Sequence, residues 1–215
     1  QSEYRPTEYM QAWVRQWMDE GRRLDLAKAL IAERMELTGK AWVKNGELLQ
    51  RRIELPGAAI DKFRLRSAAV SDTQALLLAE AEWARALYAS LAAGYGLNFT
   101  RQEGMGVKAS KEGRVNAFLD HGNYIAYGLA AVALNGLGIS YAFPLLHGKT
   151  RRGALVFDIA DLIKDAYVMP LAFTCGADLR VKDNTYRAIL IETLQDADAL
   201  DFLFGFIKGL CEKNH

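Results

Sequence analysis

Long alanine- and leucine-rich stretches with almost no proline are the feature that most constrains this chain. Its 215 residues contain four prolines, at positions 6, 56, 144 and 170, and 51% of its residues are hydrophobic. Proline interrupts helices and central strands, whereas alanine and leucine favour helices. We therefore expect an all-α, multi-helix fold, and the length predicts a single domain over residues 1–215.

Hydrophobic residues recur at helical spacing along most of the chain. The pattern predicts helices at about residues 6–20, 25–38, 57–67, 73–93, 115–137, 155–173 and 186–212, with no internal repeat. In the first of these, Tyr9, Trp13 and Trp17 share one face. This stripe indicates core packing rather than base stacking, or contact with a further domain or partner subunit.

One short segment combines an imidazole, two carboxylates and a basic cluster. Asp158 and Asp161 share one helix face shortly after His147. Imidazole nitrogen and carboxylate oxygen suit Mn²⁺ or Mg²⁺, which polarise phosphoryl groups. Acids in a first helical turn that complement the helix dipole, and a structural histidine, are the alternatives. The basic side chains, which would hold a phosphate backbone, are Lys149, Arg151 and Arg152.

Helical geometry places one carboxylate, Glu80, on an apolar face. Its neighbours one and two turns away are Leu76, Leu77, Trp83, Ala84, Leu87 and Tyr88. Glu82, two residues on, has Arg85 and Ser90 in such positions and is typical of a surface residue. A buried carboxylate is costly unless it is paired, hydrogen-bonded or bound to a metal. Glu80 is therefore either an ion-pair residue or a metal ligand.

Polar residues form a stripe along the predicted helix 115–137, at Asn116, Asp120, Asn123 and Tyr127. Such a stripe could line a wet active site, although its period alone favours the solvent-facing side of an amphipathic helix.

The overall charge and the cysteines exclude little. The formal net charge is +1, which does not by itself indicate nucleic-acid binding, although the cluster at 149–152 permits a local basic track. Cys175 and Cys211 lack metal-motif spacing and are expected to be reduced core thiols. No apolar run is long enough to cross a membrane, so we expect a cytoplasmic protein without a membrane partner.

Several of these elements together resemble a known family over about residues 27–173. Their order and spacing are similar to the C-terminal helical domain of the CRISPR-associated adaptation integrase, the first protein of the CRISPR system. The residues that carry the resemblance are Glu80, Tyr88, Asn116, Tyr127-Gly128, His147-Gly148-Lys149 and Asp158-Ile159-Ala160-Asp161 with the following Lys164.

The resemblance implies a metal-dependent DNA integrase and endonuclease. Glu80, His147 and Asp161 would be catalytic and hold Mn²⁺ or Mg²⁺, with Asp158 as an additional nearby acid. Lys149 would contact the reacting DNA as a further catalytic residue. The resemblance also places Asn116 and Tyr127 near the site, and we expect the DNA-binding residues to be Lys149, Arg151, Arg152, Asn116 and Tyr127.

The same resemblance implies partners. These are DNA (branched or double-stranded, including the CRISPR repeat), a homodimer in the full-length protein, and a second CRISPR-associated adaptation protein, in some cases fused to a helicase-nuclease. The family's N-terminal β-rich domain is not expected in this chain. Two other functions stay open: a non-catalytic helical scaffold that binds DNA or a partner, and a metal phosphohydrolase of small phosphoesters, which lacks its usual adjacent His-Asp pair here.

Overall fold

The computed structural model describes residues 7–104, 110–148 and 153–212. Within these ranges the chain is helical and contains no strand, so the all-α prediction is confirmed. The α-helices are α1 Glu8–Met18, α2 Glu20–Trp42, α3 Gly46–Gln50, α4 Gly57–Ala69, α5 Thr73–Tyr95, α6 Lys111–Gly136, α7 Ala154–Ile163, α8 Met169–Ala177, α9 Asp183–Asp196 and α10 Ala199–Glu212. A π-helical turn, Lys164–Val168, joins α7 to α8.

Short polar side chains fix where several helices begin. Asp19, Asn45, Asp72 and Ser110 each accept a backbone N–H from the first turn of the helix that follows. Such a cap typically contributes about 1 kcal/mol, because it satisfies one of the N–H groups that a helix start leaves unpaired. At its other end, α5 stops at Gly96, whose φ of 63° is left-handed.

Besides shifts of a few residues at helix ends, the structure differs from the predicted helices in three ways. The short helix α3 was not predicted, and the predicted helix 186–212 is divided into α9 and α10 at Asp198, which has a φ of 48°. The predicted helix 155–173 contains the π-helical turn. Pro170 follows this turn in the first turn of α8, where a missing N–H is tolerated.

Helix α6 is the centre of the packing, in contact with α7, the π-helical turn, α8, α9 and α10. Two glycines allow close approach. A Cβ added at Gly176 would lie 2.9 Å from the backbone of Val115, and one at Gly122 would lie 2.3 Å from the Tyr186 hydroxyl. The helix α2 packs against α7 and the π-helical turn, and α4 against α5. The largest fully buried side chains of this core include Trp13, Trp83, Phe118, Phe173 and Tyr186.

The aromatic stripe on α1 packs inward, which confirms its interpretation as core. Trp13 is fully buried and donates its indole N–H to the Phe143 carbonyl at 3.1 Å. Trp17 donates to the Pro144 carbonyl at 2.7 Å and packs edge-on against the Phe143 ring. Helix α1 therefore holds the loop that immediately precedes His147.

Both cysteines are buried and unpaired, as expected of core thiols. Burial raises the pKa of Cys175 to about 11 and that of Cys211 to about 12. Among the helices that the structure describes, none is long and apolar enough to span a membrane.

Candidate active site

Residues from several separate segments line one small cavity of about 180 Å³. Glu80 reaches it from α5, Tyr127 from α6, His147 from the loop before α7, and Asp161 from α7. The structure thus brings the three residues of the predicted metal triad to the same cavity.

Asp158 is fully buried and faces the His147 loop. One of its carboxylate oxygens accepts the backbone N–H groups of Leu145, at 2.6 Å, and Leu146, at 3.2 Å. The other accepts the N–H of His147 and lies 2.6 Å from the His147 Nδ1. Asp158 is therefore occupied in shaping the loop and orienting the imidazole, and it does not line the cavity as the additional acid that was predicted.

The contact with Asp158 engages Nδ1 of the His147 ring, so Nε2 is the nitrogen left to bind a ligand. No hydrogen bond reaches Nε2 from the residues described. Burial lowers the pKa of His147, but the hydrogen bond to Asp158 and the charges of Asp161 and Glu80 outweigh burial and raise it. A carboxylate behind a histidine in this way commonly fixes the ring for metal binding through its far nitrogen.

The buried guanidinium of Arg34 joins three carboxylates. From α2, its Nε donates to Asp165 Oδ2 at 2.7 Å and its Nη1 to Glu80 Oε1 at 2.8 Å. The same Nη1 lies 3.8 Å from Asp161 Oδ2. Burial opposes the charge of Arg34, but Asp165, Glu80 and Asp161 outweigh burial and raise its pKa.

Arg34 was not predicted as a site residue, although the sequence carries a signal for it. Glu80 was singled out because it is a charged residue on an apolar helix face, and the same criterion applies to a basic residue. In a helix, Leu30 and Ile31 lie one turn before Arg34, and both are fully buried. Arg34 is the ion-pair partner that the sequence analysis left open for Glu80, and Glu80 also lines the cavity.

The π-helical turn places two consecutive charged residues at the site. Lys164 donates to Asp161 Oδ1 at 2.6 Å, and its ammonium lies 5.4 Å from the centre of the Tyr127 ring. Asp165 accepts from Arg34 and from the Trp83 indole N–H. Burial would raise the pKa of Asp161, but Lys164, Arg34 and His147 outweigh burial and lower it, which keeps this carboxylate ionised.

Across the part of the chain that is described, no three His, Cys, Asp or Glu side chains close around one point as a metal site. Glu80 and Asp161 are turned toward Arg34 and Lys164 instead. The donor chemistry nevertheless fits Mn²⁺ or Mg²⁺: two carboxylates and an imidazole backed by Asp158. Four carboxylates and two cations line the cavity, so with His147 neutral its formal charge is −2, which a divalent ion would balance. They are Glu80, Glu103, Asp161 and Asp165, and Arg34 and Lys164.

Asn116, predicted to bind DNA, is buried and holds a neighbouring segment. Its Oδ1 accepts from the Gln102 N–H and from Arg101, and its Nδ2 donates to the carbonyls of Thr100 and Glu112. Both ends of this amide are satisfied within the protein. In this conformation Asn116 faces residues 100–102 and not the cavity.

Tyr127 lies between the cavity and a second, wider groove of about 760 Å³. Its ring packs edge-on against Phe157, with the ring centres 4.7 Å apart. Arg101, Tyr124 and Tyr141 also line the groove. The predicted DNA contacts Lys149, Arg151 and Arg152 lie outside the described residues. His147, two residues before this segment, lines the cavity, and Gly153, the residue after it, lines the groove.

Comparison with known proteins decides the family, because residues 2–191 match the family described as CRISPR associated protein Cas1. This chain belongs to the Cas1 family. It is 39% identical over 225 residues to the CRISPR-associated endonuclease Cas1 of Pseudomonas aeruginosa, an alignment that covers 100% of this chain. The chain spans 66% of that Cas1's length and 65% of a second curated Cas1, from Pectobacterium atrosepticum.

Solved structures agree with this membership at the level of the fold. A TtCas1–DNA complex has a TM-score of 0.70 at 22% identity, covering 97% of this chain and 67% of the other. A casposase bound to an integration product also has a TM-score of 0.70, at 15% identity, covering 97% of this chain and 66% of the other. The resemblance found in the sequence is confirmed by the family match and the curated relatives.

Proposed function

We propose that this chain forms the catalytic centre of a divalent-metal-dependent DNA integrase and endonuclease of CRISPR adaptation. The observation that carries the proposal is the shared cavity of Glu80, His147 and Asp161, with the imidazole turned by Asp158. Family membership supports it, as do a relative named as an endonuclease and solved relatives that contain DNA or an integration product.

Glu80 and Asp161 through their carboxylates, and His147 through Nε2, would hold Mn²⁺ or Mg²⁺. When bound, the ion supplies polarisation of the phosphoryl group and charge compensation for the attacking and leaving oxygens. Asp158 keeps the His147 ring in one orientation. Lys164, which lines the cavity, would add a positive charge near the phosphate. Tyr127 borders the cavity on the side of the groove.

The reaction would be a transesterification. The free 3′-hydroxyl of a foreign DNA fragment attacks a phosphorus at the edge of the CRISPR repeat. A new P–O bond forms while the bond from that phosphorus to the 3′ oxygen of the preceding nucleotide in the target strand breaks. The leaving oxygen takes up a proton as the attacking hydroxyl gives one up. On branched DNA the same site would run this step in reverse, and with water as the nucleophile it would cleave DNA.

The wider assembly is part of the proposal. Lys149, Arg151 and Arg152 would hold the phosphate backbone beside the site. The full-length protein would act as a homodimer with the second CRISPR-associated adaptation protein, in some systems fused to a helicase-nuclease.

A non-catalytic scaffold is the second candidate, favoured by one observation. Glu80 and Asp161 already have cationic partners in Arg34 and Lys164. A site whose carboxylates are satisfied in this way is stable without a metal, as a structural ion-pair cluster would be.

Branched DNA that mimics a half-integrated product separates the two candidates. The chain and its Glu80→Ala, His147→Ala and Asp161→Ala variants are incubated with it in Mn²⁺, Mg²⁺ or chelator. We expect metal-dependent strand cutting or rejoining that falls to background in all three variants. Glu82→Ala, which removes a surface carboxylate from the same helix, should retain the activity. DNA binding without metal-dependent chemistry, also in a full-length protein, would support the scaffold.

A further inference from the structure

Arg34 is held in place by a partner other than the predicted metal ligands. Its Nε is bonded to Asp165, and Asp165 is itself fixed by the Trp83 indole N–H on the same oxygen. The backbone carbonyl of Asp165 accepts from the Trp42 indole as well. Trp42, Trp83 and the π-helical turn therefore fix the position of Asp165, and through it the Nε end of Arg34.

The other end of Arg34 is directed at the two predicted carboxylate ligands. Nη1 lies 2.8 Å from Glu80 Oε1 and 3.8 Å from Asp161 Oδ2. A cation bound by these oxygens would lie within a few ångströms of the guanidinium. Arg34 is 3% exposed, so little water screens that repulsion.

We propose that Arg34 is an internal competitor of the divalent cation. In the metal-free protein it neutralises Glu80 and Asp161 and keeps the cavity ordered. A metal ion must displace the Nη1 contact with Glu80 while the bond from Nε to Asp165 persists. Arg34 thus lowers metal affinity and stabilises the arrangement of Glu80 and Asp161, a role that rests on the proposed function of Glu80, His147 and Asp161 as metal ligands.

Calorimetric titration of the metal-free chain with Mn²⁺ tests this role without measuring activity. Removing the guanidinium in Arg34→Met should tighten Mn²⁺ binding by about tenfold or more, because a nearby like charge is lost from a poorly screened site. Arg34→Lys keeps the charge and should bind Mn²⁺ within about threefold of wild type. Arg66→Met removes the same charge from the ion pair with Glu82 and should leave Mn²⁺ affinity unchanged.

Arg34→Met leaves the buried Asp165 carboxylate without its cationic partner, which can prevent folding, so a second variant is needed. In Arg34→Met/Asp165→Asn both charges are removed, and the new amide oxygen can still accept from the Trp83 indole. This variant should also bind Mn²⁺ several-fold more tightly than wild type. In thermal unfolding, saturating Mn²⁺ should raise the melting temperature of the two Met-containing variants more than that of wild type or of Arg34→Lys.

The outcomes separate the inference from the function on which it rests. If wild type binds Mn²⁺ and both Met-containing variants bind it equally or more weakly, Arg34 is only a structural ion-pair residue or helps to arrange the ligands, and the competitor role is wrong. If neither wild type nor any variant binds Mn²⁺ at this site, the metal site and the competitor role fail together.

Discussion

At the scale of single residues, the site shows which chemistry a sequence reveals. Glu80 could be singled out because a carboxylate on an apolar helix face needs a partner. The identity of that partner could not be predicted, because Arg34 lies 46 residues away and only the packing of α2 against the rest of the fold brings them together. Asp158 and Asp161 look equivalent in the sequence, yet three backbone N–H groups of the His147 loop turn one of them away from the cavity.

Asp158→Asn tests the positioning of His147. The neutral amide offers a weaker acceptor to the loop N–H groups and to Nδ1, so the free energy of unfolding should fall by about 1–3 kcal/mol. Strand cutting should fall about 10- to 100-fold, because the imidazole is no longer fixed. Chemical denaturation and the branched-DNA assay measure the two effects. Asp61→Asn, on the exposed face of α4, is the matched control, and equal effects in both variants would contradict a role for Asp158.

The raised pKa of His147 predicts a pH dependence in the metal-free protein. The folded chain holds the imidazole proton more tightly than the unfolded chain, whose histidine has a pKa of about 6.5. This stabilisation is complete below that pH and is lost as the pH rises through the folded pKa. Denaturation at a series of pH values should show the loss in wild type and not in His147→Gln. Parallel curves for the two proteins would overturn the assignment.

At the scale of helices, most elements were predictable and their interruptions were not. The caps at Asp72 and Ser110 and the long apolar pattern define α5 and α6. The π-helical turn has no sequence signal, because its residues would equally continue an α-helix. It lies where Asp165 bonds to Arg34 of α2 and Lys164 bonds to Asp161 of α7. Short π-helical segments occur frequently at functional sites.

Two glycine substitutions of opposite expected sign test the packing around α6. In Gly122→Ala the new methyl group would lie 2.3 Å from the Tyr186 hydroxyl and 2.5 Å from Val168, so we expect a loss of about 1–3 kcal/mol. Gly205→Ala, within α10, meets no atom within 4 Å and should gain about 0.5–1 kcal/mol from helix propensity. Urea denaturation of both variants gives the comparison. A stabilised Gly122→Ala would show that α6 and α9 pack less closely than described.

At the scale of the whole molecule, the all-helical class followed from composition and proline spacing. The proposed DNA binding did not, because a formal net charge of +1 gives no overall attraction to DNA. The resemblance and the local basic cluster carried that expectation. The way in which α1 anchors the His147 loop through Trp13 and Trp17 could not be predicted either, since it joins segments 130 and 127 residues apart.

The salt dependence of DNA binding tests the basic cluster. If Arg151 and Arg152 each neutralise a phosphate, Arg151→Ala/Arg152→Ala should make the slope of log K against log salt shallower by about 1.8 for duplex DNA. Fluorescence anisotropy at several salt concentrations measures the slope. Lys40→Ala, an exposed cation paired with Glu36 on α2, is the control. An unchanged slope in the double variant would exclude both arginines as phosphate contacts.

The most direct test of the central claim is to locate bound Mn²⁺ by anomalous scattering from a crystal of this chain grown with the ion. We predict a single strong peak within bonding distance of Glu80, His147 Nε2 and Asp161, with the contact from Arg34 to Glu80 opened. A peak at other residues, or a cavity without Mn²⁺ and with the ion pairs of Arg34 and Lys164 intact at saturating Mn²⁺, would contradict the proposed catalytic metal site.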